Sequence, residues 1–305
     1  MNNKIVVIGC GNVGMSYAYA LLNQGSRVDE LVLIDKNKEK AEGEAMDLNH
    51  TLAYLPIKVD IKAGDYSDCK DATIVVIAAG VPQKEGETRL DLIKNNSVVF
   101  KEVVTSVVES GFDGIFLIAT NPLDVMTFLT WKYSKFKANR IIGSGTTLDT
   151  ARLQYIIGDK VSVNPKDVNA YVIGEHGDSE FVPWSSATIA QQNINKFLSD
   201  DDMEKIAVDV KNAAYEIINR KGATYYGIGC ALVKITNAIL DNEESIFTVS
   251  NYSPDNKIFL GTPVVIGNDG VKQRIYIELN EEETEKMHKC IDVITTAINS
   301  IEEQD

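Results

Sequence analysis

Gly9-Cys10-Gly11-Asn12-Val13-Gly14 follows a short apolar run, Lys4–Gly9, and opens the segment Val13–Gln24, whose apolar spacing predicts a helix. A strand, a glycine turn and a helix in that order form a backbone cradle for phosphate. Gly9 permits the turn, Gly11 lets a pyrophosphate touch the main chain, and Gly14 lets the helix pack closely on the strand. The spacing alone is a weak signal, because a plain strand-to-helix turn uses the same residues. Asp35 adds weight. It ends the second predicted strand, Glu30–Asp35, twenty-one residues past Gly14, where a carboxylate accepts from both hydroxyls of an adenosine ribose. The bland alternative for Asp35 is a helix N-cap. Its charge repels a 2′-phosphate and Lys36, not arginine, follows it, so the sequence reads as an NAD site rather than an NADP site.

Outward from this motif, short β-branched runs alternate with segments of helical length. Lys58–Lys62, Thr73–Ala78, Gly114–Ala119 and Arg140–Gly143 read as further strands, and Lys38–His50, Leu90–Ser110 and Leu123–Tyr133 as helices, with Gly25 and Gly111 as stops. Strands this continuously apolar are buried on both faces, as in a doubly wound parallel sheet. The pattern changes near Ser144. A helix over Leu148–Ile157 is followed by alternating segments, Asn169–Ile173, Ser245–Tyr252, Val264–Ile266 and Arg274–Leu279, among long helices. The expected organisation is therefore a dinucleotide-binding α/β domain over residues 1–143 and a mixed α+β substrate domain over 144–305.

The 305 residues are 44% hydrophobic, enough for a large core. Thirty basic against forty-four acidic residues give a net charge of −14, which repels nucleic acid and anionic membranes alike. A small anion could still bind where a few arginines are gathered in a pocket. Cys10, Cys69, Cys230 and Cys290 show no metal-ligand spacing, so buried thiols in a reducing compartment are expected, with neither disulfide nor zinc. Met1-Asn2-Asn3-Lys4 leads straight into the first strand, leaving no room for a signal peptide. With no apolar run of membrane-spanning length, the cytoplasm is the expected location.

Three histidines are present. His50 closes a polar helix end and His288 lies in an acidic helix, both readable as solvated surface. His176 sits between glycines in Gly174-Glu175-His176-Gly177-Asp178, where a ligand could approach, and is the candidate acid/base. A hydrogen-bonded loop histidine is the competing reading.

Five ordered stretches resemble the family of L-lactate and malate dehydrogenases, its bacterial L-lactate members above all. They are the segment from Gly80 to Asp91, Thr120-Asn121-Pro122, the segment from Gly143 to Arg152, Gly174–Asp178, and Lys221-Gly222-Ala223-Thr224-Tyr225-Tyr226-Gly227. The resemblance runs in register over nearly the whole chain. It implies a Rossmann-type sheet, NAD as cofactor, a small 2-keto or 2-hydroxy acid as substrate and a homo-oligomer, usually a tetramer. It makes His176 the proton donor for keto acid reduction, with Asp149 fixing its tautomer and raising its pKa. Arg152, three residues after Asp149 on one helix, would grip the substrate carboxylate with its planar fork. Arg89 would be carried by a lid, residues 80–89, onto the carbonyl, and Asn121 would bond the substrate oxygen and nicotinamide. Asn121-Pro122 is a candidate cis bond. Cofactor contacts would come from Gly9, Gly11, Val13, Gly14, Asp35, Lys40, Tyr66, Gly80, Val81, Ala119, Asn121 and Ser144. A non-enzymic dinucleotide sensor would be free to lose His176, Asp149, Arg89 or Arg152, and all four are present.

Substrate choice turns on Gln83, at the lid position where the family's malate enzymes carry arginine and its lactate enzymes glutamine. Pyruvate brings one carboxylate, matched by Arg152. Oxaloacetate brings a second, which would be desolvated without a partner. Lys84 is adjacent, but neighbouring side chains of an extended loop point apart. Gln83 thus points to pyruvate, with malate or branched 2-hydroxy acids as the alternative. Thr224 would close the methyl side of the pocket, its bland reading being an N-cap. Relatives activated by fructose 1,6-bisphosphate carry arginine and histidine where this chain has Gln154 and Asn169. Weak or absent activation is therefore expected.

Overall fold

The computed structural model describes residues 3–81 and 89–302. Its first half alternates strand and helix: β1 (Lys4–Ile8), α1 (Asn12–Asn23), β2 (Glu30–Ile34), α2 (Lys38–Thr51), β3 (Asp60–Ala63), β4 (Ile74–Ile77), α3 (Arg89–Glu109), β5 (Ile115–Ile118), α4 (Leu123–Ser134) and β6 (Ile141–Gly143). Then come α5 (Thr147–Val161), three two-residue strands, β7 (Val168–Asn169), β8 (Thr188–Ile189) and β9 (Gln192–Asn193), and two helices, α6 (Asp200–Lys221) and α7 (Tyr226–Leu240). The chain finishes with β10 (Ser245–Ser253), β11 (Ile258–Gly267), β12 (Gly270–Arg274) and α8 (Glu281–Glu302).

Strands β1 to β6 pair in parallel in the order β6-β5-β4-β1-β2-β3. The chain reverses direction across the sheet between β1 and β4, which opens a crevice at their carboxyl ends. All five residues of β1 are buried, and alternate ones enter different layers. Ile5 and Val7 join Leu21, Leu22, Ala41, Leu48, Leu232 and Ile235 from α1, α2 and α7. Val6 and Ile8 join Phe100, Val104, Met126, Leu129 and Ile294 from α3, α4 and α8. Covering both faces explains why these strands read as unbroken apolar runs, and each buried Val or Ile contributes roughly 1.5–3 kcal/mol.

Two sequence expectations are corrected in the second half. The segment Arg274–Leu279 is expected to be a strand, whereas β12 ends at Arg274, and the segment expected at Val264–Ile266 is the end of a longer strand, Ile258–Gly267. Gly261 and Pro263 interrupt the alternation there, although both residues are paired with β10. Asn169–Ile173 is likewise not one strand: β7 stops at Asn169 and Ile173 makes an isolated bridge to Phe181. Strand β10 also pairs antiparallel with β6, at Ser250 and Gly143, so one nine-stranded sheet runs through both halves of the chain.

All four cysteines are free thiols. Cys10, Cys69 and Cys290 are buried, while Cys230 is exposed, contrary to the expectation for it. His50 and His288 are exposed. Among the described residues no helix is long and apolar enough to cross a membrane.

Candidate active site

The glycine turn is constrained by its neighbours. Gly9 adopts φ +104°, and a Cβ there would stand 2.6 Å from the Ala79 amide nitrogen, at the fork between β1 and β4. A Cβ on Gly14 would overlap the Gly9 carbonyl. Gly11 differs, since a Cβ there would meet nothing within 4 Å. It is also the N-cap of α1, a helix start without a side-chain cap or an acidic residue in its first turn. An uncapped, uncharged helix start beside open space suits a pyrophosphate. Val13 is half-buried in that first turn.

Asp35 stands at the end of β2 and is held by two amides: Cys10 N–H donates to Oδ2 at 2.8 Å and Asn37 N–H to Oδ1 at 2.9 Å. The N-cap of α2 is Asn37, which accepts from the Lys40 amide, so Asp35 does not serve as the cap. Each Asp35 oxygen keeps a lone pair for a ribose hydroxyl. Gly80 and Val81 follow β4, Ala119 and Asn121 follow β5, and Ser144 follows β6, so these residues line the carboxyl edge of the sheet. Lys40 lies exposed on α2, and Tyr66 half-buried in a short 3₁₀ turn after β3. The dinucleotide therefore fits residues that follow all six parallel strands.

Asn96 on α3 is a functional neighbour that sequence reasoning missed. It is 1% exposed, accepts from Val81 N–H at 2.8 Å and donates to the Asn121 carbonyl at 3.1 Å. It thereby ties the flank of the 80–89 segment to the Asn121 turn, whose bond to Pro122 is cis. Residues 82–88, including Gln83 and Lys84, lie outside the described residues, as does the side chain of Arg89.

Helix α5 and the glycine-rich loop bring His176 against the Asp149 and Arg152 pair, which lies more than twenty residues earlier in the sequence. The His176 Nδ1 lies 2.7 Å from Asp149 Oδ2, and Arg152 Nη1 donates to Asp149 Oδ1 at 2.6 Å. Asp149 is 2% exposed, with the side chains of Arg152 at 13% and His176 at 25%. Burial works against charge on His176, but the Asp149 carboxylate outweighs it and raises the imidazole to about 9. Burial pushes Asp149 the other way, yet the paired imidazole and guanidinium hold its carboxyl below the ordinary range. Glu180 also reaches the pair, with ligand atoms of all three residues within 4.8 Å of one another. Burial and then the Asp149 charge raise Glu180 to about 8. With Asp149 engaged by His176 and Arg152, this group reads as an acid/base cluster rather than a metal centre.

The glycine-rich loop is anchored from below. Its His176 amide donates to Asp124 Oδ2 at 2.8 Å, and Gly174, at φ +99°, exchanges backbone hydrogen bonds of 2.8 Å with Gly261. Thr224 is half-buried in the turn before α7. It is not an N-cap, because Tyr225 holds that place. A Cβ on Gly227 would stand 2.7 Å from Leu148 Cδ1, so the start of α7 packs one residue from Asp149.

Residues 3–143 match the model of the lactate/malate dehydrogenase NAD binding domain, and residues 146–305 that of the family's alpha/beta C-terminal domain. The chain belongs to the lactate/malate dehydrogenase family. It is 50% identical over 302 residues to an L-lactate dehydrogenase 2 of Bacillus cereus, covering 96% of each chain. It is 49% identical over 296 residues to an L-lactate dehydrogenase of Halalkalibacterium halodurans, covering 96% of this chain and 95% of that one. Among solved structures, a lactate dehydrogenase from a Medee basin deep-sea metagenome library superposes with a TM-score of 0.96 at 49% identity, covering 99% of both chains. The minor L-lactate dehydrogenase of Enterococcus mundtii in its ligands-bound form also gives 0.96, at 43% identity over 98% of both chains. Membership makes this chain an NAD-dependent 2-hydroxyacid oxidoreductase with a Rossmann-like sheet as its cofactor domain.

Proposed function

We propose that this family member interconverts pyruvate and L-lactate, with His176 as the acid/base group. The observation that carries the reading is the chain Arg152–Asp149–His176, closed by hydrogen bonds of 2.6 and 2.7 Å beside the carboxyl edge of the sheet. NAD, when bound as NADH, supplies the hydride to the substrate carbonyl carbon.

The protein's own groups do the rest. His176, raised to about 9, carries a proton at neutral pH and can deliver it to the carbonyl oxygen. Asp149 holds the ring through Nδ1, which leaves Nε2 as the donating nitrogen and stabilises the charged ring between turnovers. In lactate oxidation the neutral ring accepts the proton instead. Arg152 spends one N–H on Asp149 and keeps other donors of its fork for the single carboxylate of pyruvate. Asn121 follows β5 and, by family resemblance, bonds the substrate oxygen. Arg89 on the closing segment would polarise the carbonyl as water leaves. Gln83 would leave a second substrate carboxylate without a cation, and Thr224 would limit the space for a larger side chain. The division at residues 1–143 and 144–305 belongs to the same reading, as do a cytoplasmic location, a role in fermentative glycolysis and a homo-oligomer, a tetramer by resemblance.

Gln154 donates to the Ala170 carbonyl at 3.4 Å and Asn169 is exposed on β7; neither supplies the positive charge that a sugar bisphosphate requires. We therefore expect little activation by fructose 1,6-bisphosphate. The test of substrate class is NADH oxidation with pyruvate, oxaloacetate and 2-ketoisocaproate side by side. The reading expects pyruvate to have the highest kcat/KM. Faster use of oxaloacetate would replace it with a malate dehydrogenase, and faster use of 2-ketoisocaproate with a branched 2-hydroxyacid dehydrogenase.

A further inference from the structure

Asp124 is the most deeply buried carboxylate beside the catalytic loop that the mechanism above does not use. It lies in the first turn of α4, two residues past the cis peptide, and is 2% exposed. Its two oxygens serve different parts of the fold. Oδ2 accepts the His176 backbone N–H at 2.8 Å, and Oδ1 accepts the Ser250 hydroxyl of β10 at 2.5 Å. One side chain thus joins the Asn121 turn, the extension of the sheet and the residue that carries the acid/base imidazole. A buried carboxylate costs stability unless its charge is used.

We propose that Asp124 is a positioning residue for His176, holding the main chain of the catalytic loop and supplying a fixed negative charge that favours the imidazolium. The proposal rests on His176 acting as the acid/base group. The charge faces His176 and Glu175 from the loop and Cys290 from α8, with Asp149 beyond the imidazole. Burial raises the Asp124 carboxyl to about 6, while the Ser250 and His176 hydrogen bonds pull it back, so it is ionised at neutral pH. Three carboxyl groups then surround one ring: Asp149 bonds to it directly, Glu180 lies within 4.8 Å of it, and Asp124 acts through the backbone and at a distance. Each, when ionised, favours the protonated form from which keto acid reduction starts.

Two variants separate these roles. Asp124→Asn keeps an acceptor for the His176 amide and a donor for Ser250 but removes the charge. Asp124→Ala removes both. With the 2-keto acid that wild type reduces fastest, Asp124→Asn is expected to keep its plateau kcat within about three-fold, while the alkaline fall in rate moves to lower pH by roughly one unit. Asp124→Ala is expected to lose about ten-fold or more in kcat with NADH affinity unchanged. NADH binding measured by fluorescence reports on folding in both. An Asp124→Asn profile that overlies wild type overturns the charge role, and an Asp124→Ala kcat within two-fold of wild type overturns the positioning role. If Asp124→Ala fails to fold, the Asp124→Asn profile still decides. A wrong substrate assignment would appear in wild type alone, whereas a wrong role for Asp124 appears in the ratio of variant to wild type.

Discussion

At the scale of single residues, the site depends on carboxylates whose environments drive their proton affinities apart. Asp149 is kept ionised by two cations, and His176 is raised from 6.5 to about 9 in the folded protein. A raised histidine contributes stability that is complete below its unfolded pKa and is lost as pH climbs through about 9. Asp149→Asn should remove most of this. Its thermal midpoint is expected to fall more at pH 7 than at pH 10, and kcat for pyruvate reduction to fall by roughly 100-fold or more, as read by calorimetry and steady-state kinetics. Asp124 has the opposite sign. Its carboxyl is raised from 3.8 to about 6, so its ionised form is a stability cost above pH 6 that is relieved as pH falls toward 4. Asp124→Asn should therefore unfold at a higher temperature than wild type at pH 8, by about 2 °C or more, with the difference shrinking at pH 5. His176, Asp149 and Arg152 were legible in the sequence because each lies in a recognisable motif. Asn96, Asp124 and Glu180 were not. Asn96 and Asp124 meet partners 15 to 126 residues away. Glu180 acts on Asp149 and Arg152 of another element, and no local pattern announces such contacts.

At the scale of elements, the glycine turn shows how sequence dictates approach. Gly14 faces the Gly9 carbonyl and Gly9 the Ala79 backbone, so α1 can reach its place over β1 only if both lack side chains. Gly14→Ala is expected to destabilise the fold by roughly 1–3 kcal/mol and to weaken NADH binding, measured by denaturant titration and fluorescence. Gly11 has open space instead, so Gly11→Ala should weaken NADH binding with little loss of stability. The parallel strands and their helices were predicted to within about two residues, because apolar runs bounded by turns leave few alternatives. Of strand β11 only Val264–Ile266 was legible, since Gly261 and Pro263 break the alternation before it, and it is covered by α7 and α8, which lie outside its local window.

At the scale of the whole molecule, the sheet continues from the parallel strands through β6 into β10, β11 and β12, and this continuity places the catalytic loop beside the cofactor crevice. Composition could suggest two domains, but it could not show that a single sheet spans both halves. The exposed apolar side chains of α6, Val208 at 51%, Tyr215 at 55% and Ile218 at 42%, fit the expected oligomer, for which light scattering should return a multiple of the 33.6 kDa chain. In that assembly, millimolar fructose 1,6-bisphosphate is expected to change the half-saturating pyruvate concentration by less than two-fold. In the proposed reaction the fork of Arg152 and the ring of His176 converge on one small keto acid. A crystal structure of the protein with NADH and oxamate, an unreactive amide isostere of pyruvate, tests this most directly. Two N–H groups of Arg152 are expected on the oxamate carboxylate and His176 Nε2 within hydrogen-bond reach of its keto-position oxygen, with Asp149 still bonded to Nδ1. Oxamate bound away from Arg152, or a His176 ring turned from the ligand in the closed complex, would contradict it.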